Sequence, residues 1–244
     1  LDVLLEFDPD ADSLKALLDE LSRGHLVERR TELATGRVTL HPALAPAPLI
    51  DDGRHLHNTF GPEYRMLLIG AGQLTEYLAT MALFSGFAVT VCDPRAEYRG
   101  GWNVPGAAVT GDMPDDVVRA FGLDRRSCVI ALTHDPKLDD LALIESLGTE
   151  AFYIGAIGSR RNNDARRARL IEHFGQTEAS LAALRGPIGL YIGSKTPPEI
   201  AVSVMAEVLA ANNGVTLPRD MQVAPAKDAL EAPASAPVCF SGRG

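Results

Sequence analysis

Cysteine is scarce in this chain of 244 residues: there are three, Cys92, Cys128 and Cys239, widely spaced and with no CxxC pair. That spacing excludes a disulfide framework and a thiolate zinc centre, and it leaves two core thiols and one on a loose tail. No apolar run reaches the ~18–20 residues of a membrane helix. Basic charge is in deficit, with 23 Lys and Arg against 32 Asp and Glu and a formal charge of −9. Such a balance repels nucleic acid and acidic membrane surfaces. Ready-made catalytic motifs are missing as well: there is no G-x-S-x-G elbow, no P-loop and no H-E-x-x-H. The expectation is a protein of the reducing cytoplasm that engages neither nucleic acid nor membrane.

Apolar residues make up 46% of the chain, enough to fill a core. At roughly 100–200 residues per domain, the length allows one full domain and a smaller piece. Residues 1–6 (LDVLLE) read as a strand entered abruptly, as if an N-terminal partner preceded it. Residues 10–23 read as an amphipathic helix with Leu14, Leu17, Leu18 and Leu21 on one face and Gly24 as the stop. Two strands, 25–32 and 37–41, are predicted around a turn at Thr35-Gly36. The Pro-, Ala-, Asp- and His-rich stretch 42–61 reads as a linker, with metal ligation by His55-x-His57 within it as a minor alternative. The Ala/Pro-rich end from 222 onward reads as loose. The expected organisation is an N-terminal remnant over 1–43, a linker over 44–61, a main domain over 62–216 and a tail over 217–244.

Within the main domain, strand-sized apolar runs alternate with helical patterns. The runs lie at 64–69, 87–92, 107–109, 127–133, 151–154 and 188–192, and the helices at 74–84, 114–121, 138–147, 160–174 and 198–212. Continuous apolar strands separated by helices predict a parallel sheet covered on both faces. The fold class is therefore α/β, a doubly wound, mostly parallel Rossmann-like sheet with a small α+β N-terminal remnant.

The polar residues gather where strands end. The first strand leads into Gly70, Gly72 and Gln73, with the first two glycines of a dinucleotide fingerprint and Thr75 in place of the third. Gly70 would make the tight turn, and Gly72 would let a phosphate approach the helix N-terminus; a turn that binds nothing is the alternative. Asp93 closes the second strand, either as acceptor of a ribose hydroxyl or as a turn residue, and Arg95 beside it could meet a phosphate. After the fourth strand, Asp135-Pro136 has helix-start grammar, which leaves His134 and Lys137 unexplained at the ligand-binding edge. Gly155, Gly158, Ser159, Arg160 and Arg161 follow the fifth strand, where backbone N–H groups, a helix end and guanidinium forks can act on one oxyanion. A solvated helix face continued by Arg166, Arg167 and Arg169 is the competing reading. The sixth strand leads to Gly193, Ser194, Lys195 and Thr196. Thr196 and Glu199 have capping-box spacing, and Gly193 to Lys195 remain as a compact anion-binding turn. No catalytic residue and no metal ligand stands out. The common denominator is an anionic, phosphate-bearing ligand held at one sheet edge.

These segments together resemble a known family. LLIGAGQLTEYLA, FAVTVCDPR, ALTHDPKLDD, AFYIGAIGSRRNNDARRARL and GPIGLYIGSKTPPEIAVSVMAEVLA occur, in order, over most of residues 64–213. The pattern is similar to the XdhC/CoxI family, accessory proteins of xanthine dehydrogenase and related molybdenum hydroxylases. The resemblance implies a Rossmann-like domain that binds molybdenum cofactor (a molybdopterin, with or without a nucleotide extension), protects it and delivers it to the apo-hydroxylase. It also implies a cysteine desulfurase as a further partner, and a chaperone rather than an enzyme. Family members usually carry a longer N-terminal domain with a Gly-rich segment and cysteines, and the chain resembles only that domain's last strand. Two alternatives use the same site: an NAD(P)-dependent oxidoreductase, with His134 as its sole candidate proton donor, and a nucleotide-sensing regulatory domain. A homodimer is the default assembly.

Overall fold

Two compact units, Leu1–Glu63 and Tyr64–Gly244, divide the chain. The computed structural model describes residues 5–22, 25–43, 47–61 and 64–231. Most of the expected opening strand, Gly24 and Cys239 lie outside these residues, and Leu5 and Glu6 are not in a strand.

In the first unit, α1 (Ala11–Ser22) precedes β1 (Val27–Glu32), β2 (Val38–Pro42), β3 (Ile50–Asp51) and β4 (His55–Phe60). The strands form one antiparallel sheet in the order β2-β1-β4-β3. The predicted turn is present, with Gly36 at φ +71°, a conformation that glycine adopts freely. The stretch expected as a linker is corrected: β4 pairs with β1 along its whole length, from Val27 opposite Phe60 to Glu32 opposite His55. HLHNTF has no apolar alternation, so pairing rather than pattern makes it a strand. The four-leucine face of α1 is also corrected. Leu17 is buried, whereas Leu14 and Leu18 are exposed, because β1 offers mainly Val27, Arg29 and Thr31 on its buried side.

The second unit is the expected doubly wound domain. Its strands are β5 (Arg65–Ile69), β6 (Ala88–Cys92), β7 (Ala108–Thr110), β8 (Ser127–Ala131), β9 (Tyr153–Ala156) and β10 (Leu184–Arg185). Its helices are α2 (Gln73–Phe84), α3 (Ala96–Arg99), α4 (Pro114–Phe121), α5 (Pro136–Ser146), α6 (Arg160–Phe174), α7 (Pro197–Asn212) and α8 (Val223–Glu231). The sheet order is β10-β9-β8-β5-β6-β7, with every pairing parallel. Side chains of β5 alternate between two cores: Met66 and Leu68 join Leu78, Ala82, Val204 and Val208 from α2 and α7, while Leu67 and Ile69 join Val117, Val118 and Ala142 from α4 and α5. All four of these β5 residues are fully buried, each worth ~1.5–3 kcal/mol relative to exposure.

Two expectations fail here. The sixth strand is Leu184–Arg185, not 188–192. Pro187 has no N–H to give a ladder, and Gly189 at φ +103° leaves the extended region. Residues 223–231 of the expected loose tail are α8, with Ala226 buried.

Candidate functional site

Chain connections leave β5 and β8 in opposite directions, so a crevice opens at their carboxyl ends, the place where ligands bind in such sheets. Gly70 stands there at φ +108°, and a Cβ on it would lie 2.9 Å from Thr133 Cγ2. The two strand exits therefore touch, and glycine is what lets them. Gly72 is the N-cap of α2. Among the described residues no side chain caps this helix, and a Cβ at Gly72 would meet nothing within 4 Å. Gln73 is exposed beside it. Thr75, in the third-glycine position, is accommodated with 1% exposure. Across the crevice α5 is closed by its own Asp135, whose carboxylate accepts the Lys137 N–H at 2.9 Å.

Asp93 is fully buried and engaged. Its Oδ2 accepts the Ala71 N–H at 2.9 Å and Arg95 Nη2 at 2.8 Å, and its Oδ1 accepts the Arg95 N–H at 3.0 Å and Arg95 Nε at 2.9 Å. Burial by itself would raise its pKa, but the guanidinium and the two amides outweigh it and hold the carboxyl below the usual range. Asp93 thus clamps the glycine turn instead of presenting oxygen to a ribose. Arg95 is held by that carboxylate and by the Tyr98 ring, 3.9 Å from its guanidinium carbon.

His134 adopts the left-handed conformation at φ +61° and is exposed. Beneath it lies a buried polar network. Asp139 accepts the Thr133 N–H at 3.1 Å and the Thr133 hydroxyl at 2.7 Å on Oδ1, and Arg166 Nη2 at 3.1 Å on Oδ2. Arg166 also donates to Asn163 Oδ1 at 2.9 Å and to the Ile157 carbonyl at 3.3 Å. The turn after β8 is thereby tied to the start of α6. A cavity of about 190 Å³ between them is lined by His134, Pro136, Ile157, Asn162, Arg166 and Arg169. The solvated reading of α6 is corrected for Arg166, which is 6% exposed, and Arg169 pairs with Asp140 at 2.6 Å.

At the N-terminus of α6 four of the five residues of the predicted cluster stand together. Gly158, Ser159, Arg160 and Arg161 line a groove of about 830 Å³ together with Lys227 and Asp228 of α8. Ser159 caps the helix by accepting the Asn162 N–H at 3.1 Å. Arg160 is ion-paired with Asp228. Gly155 is no part of this loop. It lies inside β9, where a Cβ would meet Ile188 Cγ2 at 2.6 Å. Lys137 faces elsewhere, lining an apolar pocket with Leu141 and Phe174. Before α7, the Glu199 carboxylate accepts the N–H groups of Lys195 at 2.7 Å and Thr196 at 3.1 Å. Those amide bonds hold Glu199 below the usual carboxylate range. The Gly193–Ser194–Lys195–Thr196 turn thus carries an internal anion at the place where an external one was expected.

Asp139, Asn163, Arg166 and Asp228 were not singled out as site residues. The signal for the first three was helical period: Asp139 shares a buried face with Ala142, Leu143 and Ser146, as Asn163 and Arg166 do with Leu170. Neither described thiol supplies a reactive or ligating sulfur. Burial pushes Cys92 up to about 12, and Cys128, wholly enclosed, higher still.

The profile of the family described as XdhC Rossmann domain matches residues 66–208. The chain is 31% identical over 157 residues to a probable xanthine dehydrogenase subunit of Bacillus subtilis (strain 168), covering 64% of this chain and 45% of that one. It is 31% identical over 86 residues to the molybdenum cofactor insertion chaperone PaoD of Escherichia coli (strain K12), covering 35% of this chain and 27% of that one. The crystal structure of a xanthine dehydrogenase from Bacillus halodurans is similar with a TM-score of 0.62 and 25% identity, covering 84% of this chain and 65% of the other. The chain spans less than half the length of these curated relatives. The doubly wound parallel sheet and the match over more than half of its length agree: the chain belongs to the XdhC family and carries its Rossmann domain.

Proposed function

We propose that this chain serves the maturation of a xanthine dehydrogenase-type molybdenum hydroxylase by binding molybdenum cofactor and handing it to the apo-enzyme. The observation that carries this reading is the bare N-terminus of α2 at the β5–β8 crevice. A helix start whose amides no side chain caps is an anion site, suited to the cofactor's phosphate. The pterin would extend past His134 toward the first turn of α6, where Arg160 and Arg161 stand. The names of the relatives support the same role, one being a molybdenum cofactor insertion chaperone. Asp93 weighs against a nicotinamide nucleotide, because its oxygens are filled from within the chain.

The test uses Gly72→Asp. The Gly72 backbone, φ −89° and ψ 176°, suits an Asp N-cap. The variant therefore keeps or slightly raises its melting temperature while placing a carboxylate where the phosphate would bind. The proposal expects pterin among small molecules released from the anaerobically purified wild-type protein and at least tenfold less from Gly72→Asp. It also expects reactivation of apo-hydroxylase by the wild type alone. Equal retention by both proteins would remove the α2 terminus from the site.

A further inference from the structure

We propose that the N-terminal unit holds a divalent transition-metal ion of the zinc type on Asp52, His55 and His57, with Glu28 as the outer partner of His57. Because β4 is a strand, His55 and His57 stand two residues apart and project from the same face. Asp52 occupies the turn that leads into that strand. Its N–H bonds the His55 carbonyl at 3.2 Å, and its Oδ1 accepts the N–H groups of Arg54 at 2.8 Å and His55 at 2.7 Å. This fixes the carboxylate with Oδ2 toward the imidazoles, 3.2 Å from His57 Nε2 and 3.6 Å from His55 Nδ1. One donor atom from each of the three residues lies within 4.8 Å of the other two. Two donors bound at ~2.0–2.2 Å to one ion stand at most about 4.4 Å apart. In a tetrahedral site such donors stand about 3.4 Å apart; the two Asp52 contacts are close to that, and the partly exposed imidazoles supply any further adjustment.

His57 supplies the second argument. Both of its ring nitrogens face carboxylate oxygen, Nδ1 at 3.1 Å from Glu28 Oε1 and Nε2 at 3.2 Å from Asp52 Oδ2. A neutral imidazole donates once. With Nδ1–H given to Glu28, the carboxylate–histidine arrangement found behind metal ligands, Nε2 turns a lone pair toward another lone pair. Either a proton or a metal ion fills that gap. Arg30 binds the same Glu28 oxygen at 2.8 Å, which commits Glu28 to the outer role. Two imidazoles and one carboxylate select Zn²⁺, Co²⁺ or Ni²⁺ over Ca²⁺ and Mg²⁺. A proton on Nε2 would satisfy His57 alone; the convergence of His55 on the same Asp52 oxygen favours the metal. The ion would staple the turn of the two-residue strand β3 onto the sheet.

The test is a Co²⁺ titration of the full chain after chelator treatment. Expected is a visible absorption that saturates at one Co²⁺ per chain, is displaced by Zn²⁺, and disappears in His55→Ala and in Asp52→Asn. Zn²⁺ should also slow amide exchange along β4 in the wild type only. Asp52→Asn keeps side-chain volume, so a loss of band with unchanged circular dichroism separates ligation from misfolding. No saturable band in the wild type, an unsaturable rise, or an equal band in both variants would overturn the proposal.

Discussion

Replacing Arg166 by Met leaves a carboxylate without its counter-ion in the interior of the Rossmann domain. Asp139 is fully buried, and Arg166 is the partner of its Oδ2, while Thr133 donates twice to Oδ1. Burial already pushes the Asp139 carboxyl upward, and loss of the guanidinium pushes it further. Breaking such a buried pair from one side costs ~3–5 kcal/mol, a large share of the ~5–15 kcal/mol that holds a domain folded. At about 2–4 °C per kcal/mol for a domain of this size, the melting temperature should fall by about 6–20 °C. Urea unfolding followed by circular dichroism measures the loss. Asp139→Leu combined with Arg166→Met removes both charges and should recover most of it, since apolar replacement of a whole buried pair is often neutral. The double-mutant cycle should show a coupling of at least about 2 kcal/mol. A cost under about 1 kcal/mol for Arg166→Met alone, or strict additivity, would refute the reasoning and return Arg166 to the solvated helix face.

Gly70→Ala should destabilise by ~1–3 kcal/mol, because the new Cβ meets Thr133 while φ stays at +108°; an unchanged urea midpoint would show that the strand exits are not in contact. Asp93→Asn tests a sign. A carboxyl held below its ordinary 3.8 contributes stability that is full above that pH and lost as pH falls through the lowered value. The wild-type advantage over Asp93→Asn should be constant at neutral pH and shrink below about pH 4. An advantage independent of pH down to acid unfolding would contradict the Arg95 clamp.

Legibility differed between elements for definable reasons. The strand β5 was readable because Met66 to Ile69 are apolar without interruption, as a strand buried on both faces requires. The strand β4 was not, because HLHNTF acquires its conformation from β1 beside it. The sixth strand was misplaced because an apolar stretch at 188–192 outscored the two residues that pair with β9. Asp93, Arg95 and Lys137 stand close to strand ends in the sequence, yet their side chains turn to partners or surfaces that only folding chose.

Order and period along the chain were enough to determine a parallel sheet and to name the glycines and charges near its strand ends. Each β-to-α connection sends successive strand ends to the same side, and that rule depends on neighbours in sequence alone. Which of those charges stay available to a ligand was decided by the tertiary structure. Asp93 meets Ala71, Glu199 meets Lys195, Arg166 meets Asp139 and Arg160 meets Asp228. Most of these contacts join distant segments, and electrostatic attraction acts through space without regard to chain order.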